Sequence, residues 1–531
     1  MVSDCITYQN SGYFSKLIND YLNEKDTLHD LYNRFPTIEN FNLQIEEKQR
    51  QFQLKNRIAL KEQLQQQYQN FSISDITQLN INYLEKENTF TVTTGHQLNL
   101  FTGPIYFIYK IVSTIKLCKQ LKEAYPDYNF VPVYWMATED HDFEEINHFI
   151  FKGKKINWKK NSTGPVGRLS TDGLDEVFEE FSKVLPSSLA ADNLQKLFTE
   201  AYLQHDNLAE ATRFLVNELF KNYGLVIVDG DDKKLKELFI PYVKNEIIQQ
   251  QSFEKINATS ELLKDYSIQV TPREINLFYI ESDLRERIVF EDNLYKVLHR
   301  QLQFTEAEIL QEIENYPEKF SPNVVLRPLY QEVILPNLCY IGGGGELAYW
   351  LQLKSNFEEN SIPFPMLLLR NSVIVATEKQ NKKREKLALT WLDLFAKQSE
   401  LISRKTAEFS ELSLNFSSQK NFLQQQFKEL YKIASQTDAS YFGAVAAQEK
   451  KQLKGLENLE KKLLKAEKKK YAEQLARIAS LQNELFPNGS LQERKLNFSE
   501  VALETNISDF IAQLYHDFDP LAQHFTIEIL K

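Results

Sequence analysis

The stretch Thr93–Pro104, TTGHQLNLFTGP, sets His96 and Gln97 between Gly95 and Gly103, where a strand gives way to a helix. An anion suits such a junction, because free helix N-terminal amides and the helix dipole attract negative charge and glycine lets the backbone come close. An imidazole there can stabilise charge developing on a phosphoryl group. The segment is neither a Walker A loop nor GxGxxG, so a structural turn is the competing reading. A second group, Thr138–His148 (TEDHDFEEINH), puts Glu139, Asp140, His141 and Asp142 in a row directly after an apolar run. Four ionisable groups beside an apolar strand must be solvated, paired or functional. Three readings stay open: a solvated acidic loop; Asp140 and His141 binding an amine, orienting a nucleotide or moving a proton; or a metal held by His141 and His148 with carboxylates nearby, although no HExxH or HxH spacing is present. A third group runs through Arg327, Gln331 and Glu332 to the glycines Gly342–Gly345 and Glu346. Four glycines in succession raise the entropic cost of folding, and a loop whose bare N–H groups face a ligand would justify them. Arg327 and Arg370 could neutralise phosphates or grip a carboxylate with both fork arms, a structural salt bridge being the alternative.

These groups need a scaffold, and the pattern supplies one. Thr89–Thr94 (TFTVTT) reads as a strand, Ile105–Leu121 as the helix after Gly103-Pro104, and Phe130–Ala137 (FVPVYWMA) as a second strand. Strand, helix, strand in that order favours a parallel pair with a right-handed crossover. Gly224–Asp229 (GLVIVD) is a short, wholly apolar strand ending in acids, and PFPMLLL before Arg370 reads as another. Phe41–Asn70, rich in Gln, Lys and Glu around Leu54, Ile58 and Leu64, reads as exposed helix with a narrow apolar stripe. From about Ser372 to Leu485 Gly and Pro nearly vanish, and Leu456, Leu459, Leu463 and Ala466 form a 3-4-3 seam flanked by charge. An interruption near Asp438–Gly443 marks the expected tip of a helical hairpin.

The expected organisation is an N-terminal helical segment (1–88), a first core half (89–149), an insertion (150–222) and a core strand (223–234). A second insertion (235–320), a second core half (321–371), a coiled-coil arm (372–486) and a returning C-terminal segment (487–531) complete it.

With 62 basic and 73 acidic residues the net charge is −11, which argues against general affinity for nucleic acid or anionic membrane. Cys5, Cys118 and Cys339 lie more than 100 residues apart, so neither a disulfide framework nor a zinc ribbon is implied. The opening MVSDCITYQNSGYFSKL does not read as a signal peptide, and no uninterrupted apolar run reaches the roughly 18 residues of a membrane span. A cytoplasmic location is expected.

At TTGHQLNLFTGPIYFIYK, VPVYWMATEDHDFEEINH, SPNVVLRPLYQEVILPNLCYIGGGGELAYW and NGSLQERKLNF, in this order from about residue 93 to 498, the sequence resembles the cysteine ligase family of bacillithiol biosynthesis. The resemblance implies an α/β protein with a Rossmann-like core like that of class I nucleotidyltransferases, helical insertions and a long antiparallel coiled-coil arm through which a homodimer forms. It implies an amide bond made between L-cysteine and glucosaminyl-malate after nucleotide-dependent activation of a carboxylate. ATP or another nucleotide is the expected cofactor, with Mg2+ accompanying it. Under this reading His96, Asp140 and His141 are catalytic. Thr94, Gly95, Gln97, Thr102, Gly103, Asp142, Arg327, Gln331, Gly343, Gly344, Glu346 and Arg370 bind substrate or nucleotide, joined by Arg494 and Asn497 where the C-terminal segment returns to the core. No metal ligands of the protein itself are assigned. The rival readings are a metal-dependent hydrolase using His141, Asp142 and His148, and a nucleotide-binding coiled-coil scaffold.

Overall fold

The computed structural model describes residues 6–530, and Cys5 falls outside them. Its contacts divide the chain into two units, residues 7–374 with 493–531, and residues 375–492 with 1–6.

The larger unit is built on β1 (Thr89–His96), which is β-branched at every position but Phe90 through Thr94 and buried on both faces. Its threonines survive burial because their hydroxyls are satisfied. Thr91 and Thr93 donate to Asn337 Oδ1 at 3.2 and 2.8 Å, and Thr94 donates to the Ile341 carbonyl at 2.7 Å. Helix α1 (Tyr106–Ala124) crosses to β2 (Asn129–Met136), and β3 (Val226–Asp229) adds to that edge. Further along come the hairpin β4 (Leu277–Glu281) and β5 (Leu284–Glu291), helix α2 (Arg327–Ile334), β6 (Asn337–Gly342), helix α3 (Gly344–Trp350) and β7 (Met366–Leu369). The central sheet runs β7-β6-β1-β2-β3 with every neighbouring pair parallel. Leaving β1 on one side and returning on the other makes β1 and β6 the switch point, and the crevice outside their carboxyl ends is where such sheets take ligands.

The segment before β1 covers this sheet more closely than its composition implies. Phe41 and Ile45, from the helix Ile38–Gln51, join Phe90, Val92, Leu117, Cys118, Cys339 and Ile341 in one core. Leu54 and Ile58 face solvent instead, and Leu60 and Leu64 carry the buried stripe of the next helix. Lys48 is buried and ion-paired to Glu332 at 3.0 Å, and Arg57 donates to the backbone carbonyls of Leu84 and Thr89.

The first insertion is a small hairpin, His148–Phe151 with Lys154–Asn157, followed by three helices. The second holds helices and then a five-stranded sheet, antiparallel along each pair, that contains β4 and β5. Its strands were not expected from the sequence.

The smaller unit is helical. Helix α4 (Ser417–Ala434) leads through a four-residue turn into α5 (Ala439–Lys470), capped by Asp438. The turn ends earlier than expected, and Gly443 lies inside α5. Lys420 pairs with Glu460 at 2.6 Å, and Tyr431 donates to Glu449 at 2.8 Å. The seam also differs from the expected one: Leu456 and Leu463 are half-buried, whereas Leu459 and Ala466 face outward.

Candidate functional site

Three segments converge at the crevice because each follows the carboxyl end of a central strand or packs directly above it. β1 ends on His96, β2 is followed by Thr138–His141, and α2 and α3 flank β6 with Arg327 and Glu346. Together they line one cavity of about 650 Å³, whose far wall comes from β4, β5 and the loop before them.

Burial pushes the His96 imidazole down to about 3, helped by the charges of Lys110 and Arg370 and opposed by Glu346. The ring is therefore neutral at physiological pH. Its Nε2 is shut off from solvent with no hydrogen-bond partner among the described residues, while Tyr106 and Phe107 pack on the ring at 5.4 and 5.1 Å between ring centres. A buried polar atom left unsatisfied costs stability unless something later meets it.

Lys110 comes from the buried face of α1, beside Ser113 and Thr114. It donates to the Gly95 carbonyl and to both oxygens of Glu346, at 2.9 and 2.8 Å. Glu346 also accepts from the Tyr340 hydroxyl at 2.7 Å and the Gly343 amide at 2.8 Å. Burial raises its carboxyl, but Lys110, the Gly343 amide and Tyr340 outweigh that and hold it below the ordinary range.

Gln97 donates to Asp140 at 2.8 Å and to Glu145 at 2.7 Å, tying the β1 loop to the β2 loop. Asp140 also accepts the His141 amide at 2.7 Å. Burial raises Asp140, yet the hydrogen bonds from His141 and Gln97 and the Arg285 charge prevail and keep it ionised. His141 Nδ1 lies 2.8 Å from the Arg285 guanidinium, which has only donors, so Nδ1 accepts and the ring proton sits on Nε2. In this arrangement the Nδ1 lone pair is engaged and the ring offers an N–H. Glu139, facing the same loop, is paired with Lys236 at 2.7 Å, and Lys236 reaches Asp231 at 3.1 Å.

Of the expected residues, Gly95, His96, Gln97, Asp140, His141, Arg327 and Glu346 line the cavity. Others do not. Thr94 is spent on β6, and Asp142 caps the short helix Phe143–Ile146. Thr102 and Gly103 form a left-handed turn with φ of 65° and 62°, where a Cβ on residue 103 would meet Asn99 Cβ at 2.7 Å. Asn497 clips that turn, donating to the carbonyls of Phe101 and Gly103 at 2.9 and 2.6 Å, so its amide is occupied. The Ile105 amide is likewise taken by the Leu496 carbonyl, and those of Phe107 and Ile108 bond the carbonyls of Pro104 and Ile105. Gln331 is buried between Arg327 and Glu332. The glycine run is also corrected: a Cβ on Gly342 would meet the Leu347 side chain at 2.8 Å, Gly343 gives its amide to Glu346, and Gly344 begins α3 against Phe14 and Ile18. Close packing accounts for Gly342, whereas a Cβ would be accommodated at Gly343 and Gly344 and would meet nothing at Gly345. Arg370 grips Glu493 with both arms at 3.1 and 2.7 Å, and Arg494 is exposed, its charge acting on Tyr106. His141, Asp142 and His148 do not assemble: His148 bonds Asn147, and among the described residues no group of three His, Cys, Asp or Glu is placed to hold a metal.

The sequence reading missed Lys110, Tyr106, Arg285 and Arg287. A lone lysine inside YFIYKIVSTI was a signal, since a charge amid a buried face must be paired. LFYIESDLRERIVFE was another, two alternating runs about a Ser-Asp turn.

Residues 1–371 match the family model described as "Bacillithiol biosynthesis BshC, N-terminal Rossmann-like domain", and residues 373–530 match "Bacillithiol biosynthesis BshC, C-terminal coiled-coil domain". The chain belongs to the bacillithiol biosynthesis BshC family. Its BshC relatives in Flavobacterium johnsoniae and Flavobacterium psychrophilum are each 60% identical over 99% of both chains, and that of Christiangramia forsetii is 54% identical over 99% of both. All three carry the name "Putative cysteine ligase BshC". The parallel sheet and the helical smaller unit agree with the two domains of the BshC family. No helix of the described residues is long and apolar enough to cross a membrane.

Proposed function

We propose that this chain is a cytoplasmic cysteine ligase of bacillithiol synthesis, forming the amide between the carboxyl of L-cysteine and the amine of glucosaminyl-malate. The observation that carries the reading is the convergence of His96 with Asp140 and His141 in one cavity at the β1/β6 crevice, in a chain whose relatives bear the name of cysteine ligase. Condensing a carboxylate with an amine requires activation, and a nucleotide, ATP in the simplest case, supplies it when bound. The residues present fit an anionic group: among the described residues the His96 Nε2 lacks a partner, and the Arg327 guanidinium bonds the neutral Gln331 and Tyr349 and no carboxylate. Mg2+ would ride on the nucleotide's phosphates, as is usual for this ion.

Within this reading neutral His96 directs a ring N–H at charge developing on the activated carboxyl, and Arg327 holds the neighbouring anion. Asp140, kept ionised, orients the acceptor amine, and the His141 Nε2–H donates to the carbonyl under attack. The likeness of the core to class I nucleotidyltransferases belongs to the same proposal, as does an antiparallel arm, for which the pairs Lys420–Glu460 and Tyr431–Glu449 speak. Exposed Phe422, Ile433 and Leu459 on that arm suit a homodimer contact.

The test is a coupled assay of the purified full chain with cysteine, glucosaminyl-malate, ATP and Mg2+. Mass spectrometry should find the condensed thiol together with AMP or ADP in equal amount. Nucleotide turnover without the amide product, or no reaction with either substrate, would sink the proposal.

A further inference from the structure

The wall opposite His96 carries charge that the proposed chemistry has not used. Arg285 and Arg287 are two apart on β5, so both side chains leave the same face of the strand. Phe278, paired with Arg287 across the hairpin, shares that face, and the Arg285 guanidinium lies 3.9 Å above its ring. Arg273, from the loop before β4, lines the same wall. No ion pair joins any of the three to a carboxylate of the described residues, and besides Phe278 the Arg285 guanidinium bonds His141 and the Pro322 carbonyl, while its Nε is buried without a hydrogen-bond partner among the described residues. Asp140 and Glu139 act on the Arg285 charge from nearby, but neither is ion-paired to any of the three guanidiniums, and an incoming anion would find their donors open.

We propose that Arg273, Arg285 and Arg287 form a subsite for a dicarboxylate, the end of the acceptor remote from its amine. The planar fork of arginine matches a carboxylate with two parallel N–H bonds, and two forks spaced along one strand face suit two carboxylates on neighbouring carbons. Phosphate chemistry belongs to the other wall, where Arg327 begins α2 beside His96, because this wall is strand and loop with no helix N-terminus in it. The inference rests on the ligase reading for the molecule that bears the dicarboxylate, and on these side chains alone for the site.

The full chain is titrated with L-malate, acetate, inorganic phosphate and AMP, read by calorimetry and by the fluorescence of Trp135 in the cavity wall. Malate should bind more tightly than acetate. Arg285→Gln and Arg287→Gln should each weaken malate at least about tenfold, a loss of about 1.4 kcal/mol, with the melting temperature of Arg287→Gln unchanged and Arg287→Lys intermediate. In turnover Arg287→Gln should raise the acceptor KM and spare kcat. Absent malate binding, malate affinity unchanged from wild type in the Gln variants, or variants that weaken phosphate and AMP but not malate would each overturn the subsite. Arginine-dependent malate binding by a chain that makes no amide would uphold the subsite and remove the ligase reading alone.

Discussion

Lys110 of α1 is ion-paired to Glu346 of α3 across the switch point, at 2.8 Å, with the lysine side chain almost wholly withdrawn from solvent. Both charges act on the His96 ring, and the lysine also fastens the Gly95 carbonyl, so one buried pair sets the backbone and the electrostatics of the proposed catalytic imidazole.

Removing one member should therefore cost more than removing both. Lys110→Met leaves a half-buried carboxylate without its ion pair and is expected to destabilise the larger unit by about 1–3 kcal/mol. Lys110→Met with Glu346→Gln should recover more than half of that loss in urea unfolding. Equal losses in the single and double variants would show that the pair is not coupled.

His96 should act as a neutral group. His96→Gln is expected to lower kcat by roughly 10²–10³ while changing the KM values little, and the ratio to wild type should stay flat from about pH 6 to 8 because a ring held near 3 does not titrate there. Stability carries the complementary sign. The unfolded imidazole takes up protons below about 6.5 and the folded one does not, so wild type should lose stability relative to His96→Gln as pH falls from that value toward 3. Unfolding midpoints measured across pH 4–7 decide this.

Asp140 has the opposite linkage. Its folded carboxyl lies below the ordinary range, so its stabilisation is present above the unfolded pKa and lost as pH falls. Asp140→Asn should cost about 1.5–3 kcal/mol at pH 7, and the gap to wild type should close in acid. Because the carboxylate joins Gln97 to the His141 amide, the variant should also loosen the loop, visible as faster amide exchange at residues 139–142.

Arg370 should prove structural. Arg370→Lys cannot make the two-armed grip on Glu493, so a drop of about 2 kcal/mol in stability is expected with substrate KM values unchanged. A variant of normal stability with a raised KM would return Arg370 to the substrate-binding set.

The parallel core was legible because TFTVTT, FVPVYWMA and GLVIVD carry local signals strong enough to survive any context, and glycine with proline marked the start of α1. The cavity's near wall followed, since strand ends at a switch point bring Gly95–Gln97 and Asp140–His141 together without further information. What periodicity could not show was which polar groups would be consumed in folding. The run Gly342–Gly345 gave no sign that Gly342 is held by the Leu347 side chain or that Gly344 lies beside Phe14 and Ile18, contacts that only the fold defines. Asn497 and Arg370 read as binding residues for the same reason, their partners being 394 and 123 residues away. Arg285 and Arg287 were missed in a segment taken as a helical insertion, where charged residues in alternation mask a strand.

The fastening of residues 101 and 103 by Asn497 has a temporal implication. Two successive residues without a glycine's freedom, Phe101 and Thr102, hold positive φ immediately after the proposed catalytic imidazole, and the amide that clips them is separated by almost 400 positions. A ribosome completes β1, β2 and β6 long before it emits that amide. Newly made chains halted short of residue 497 would then carry a formed sheet and an unlatched crevice, inert toward substrates until synthesis has passed that point.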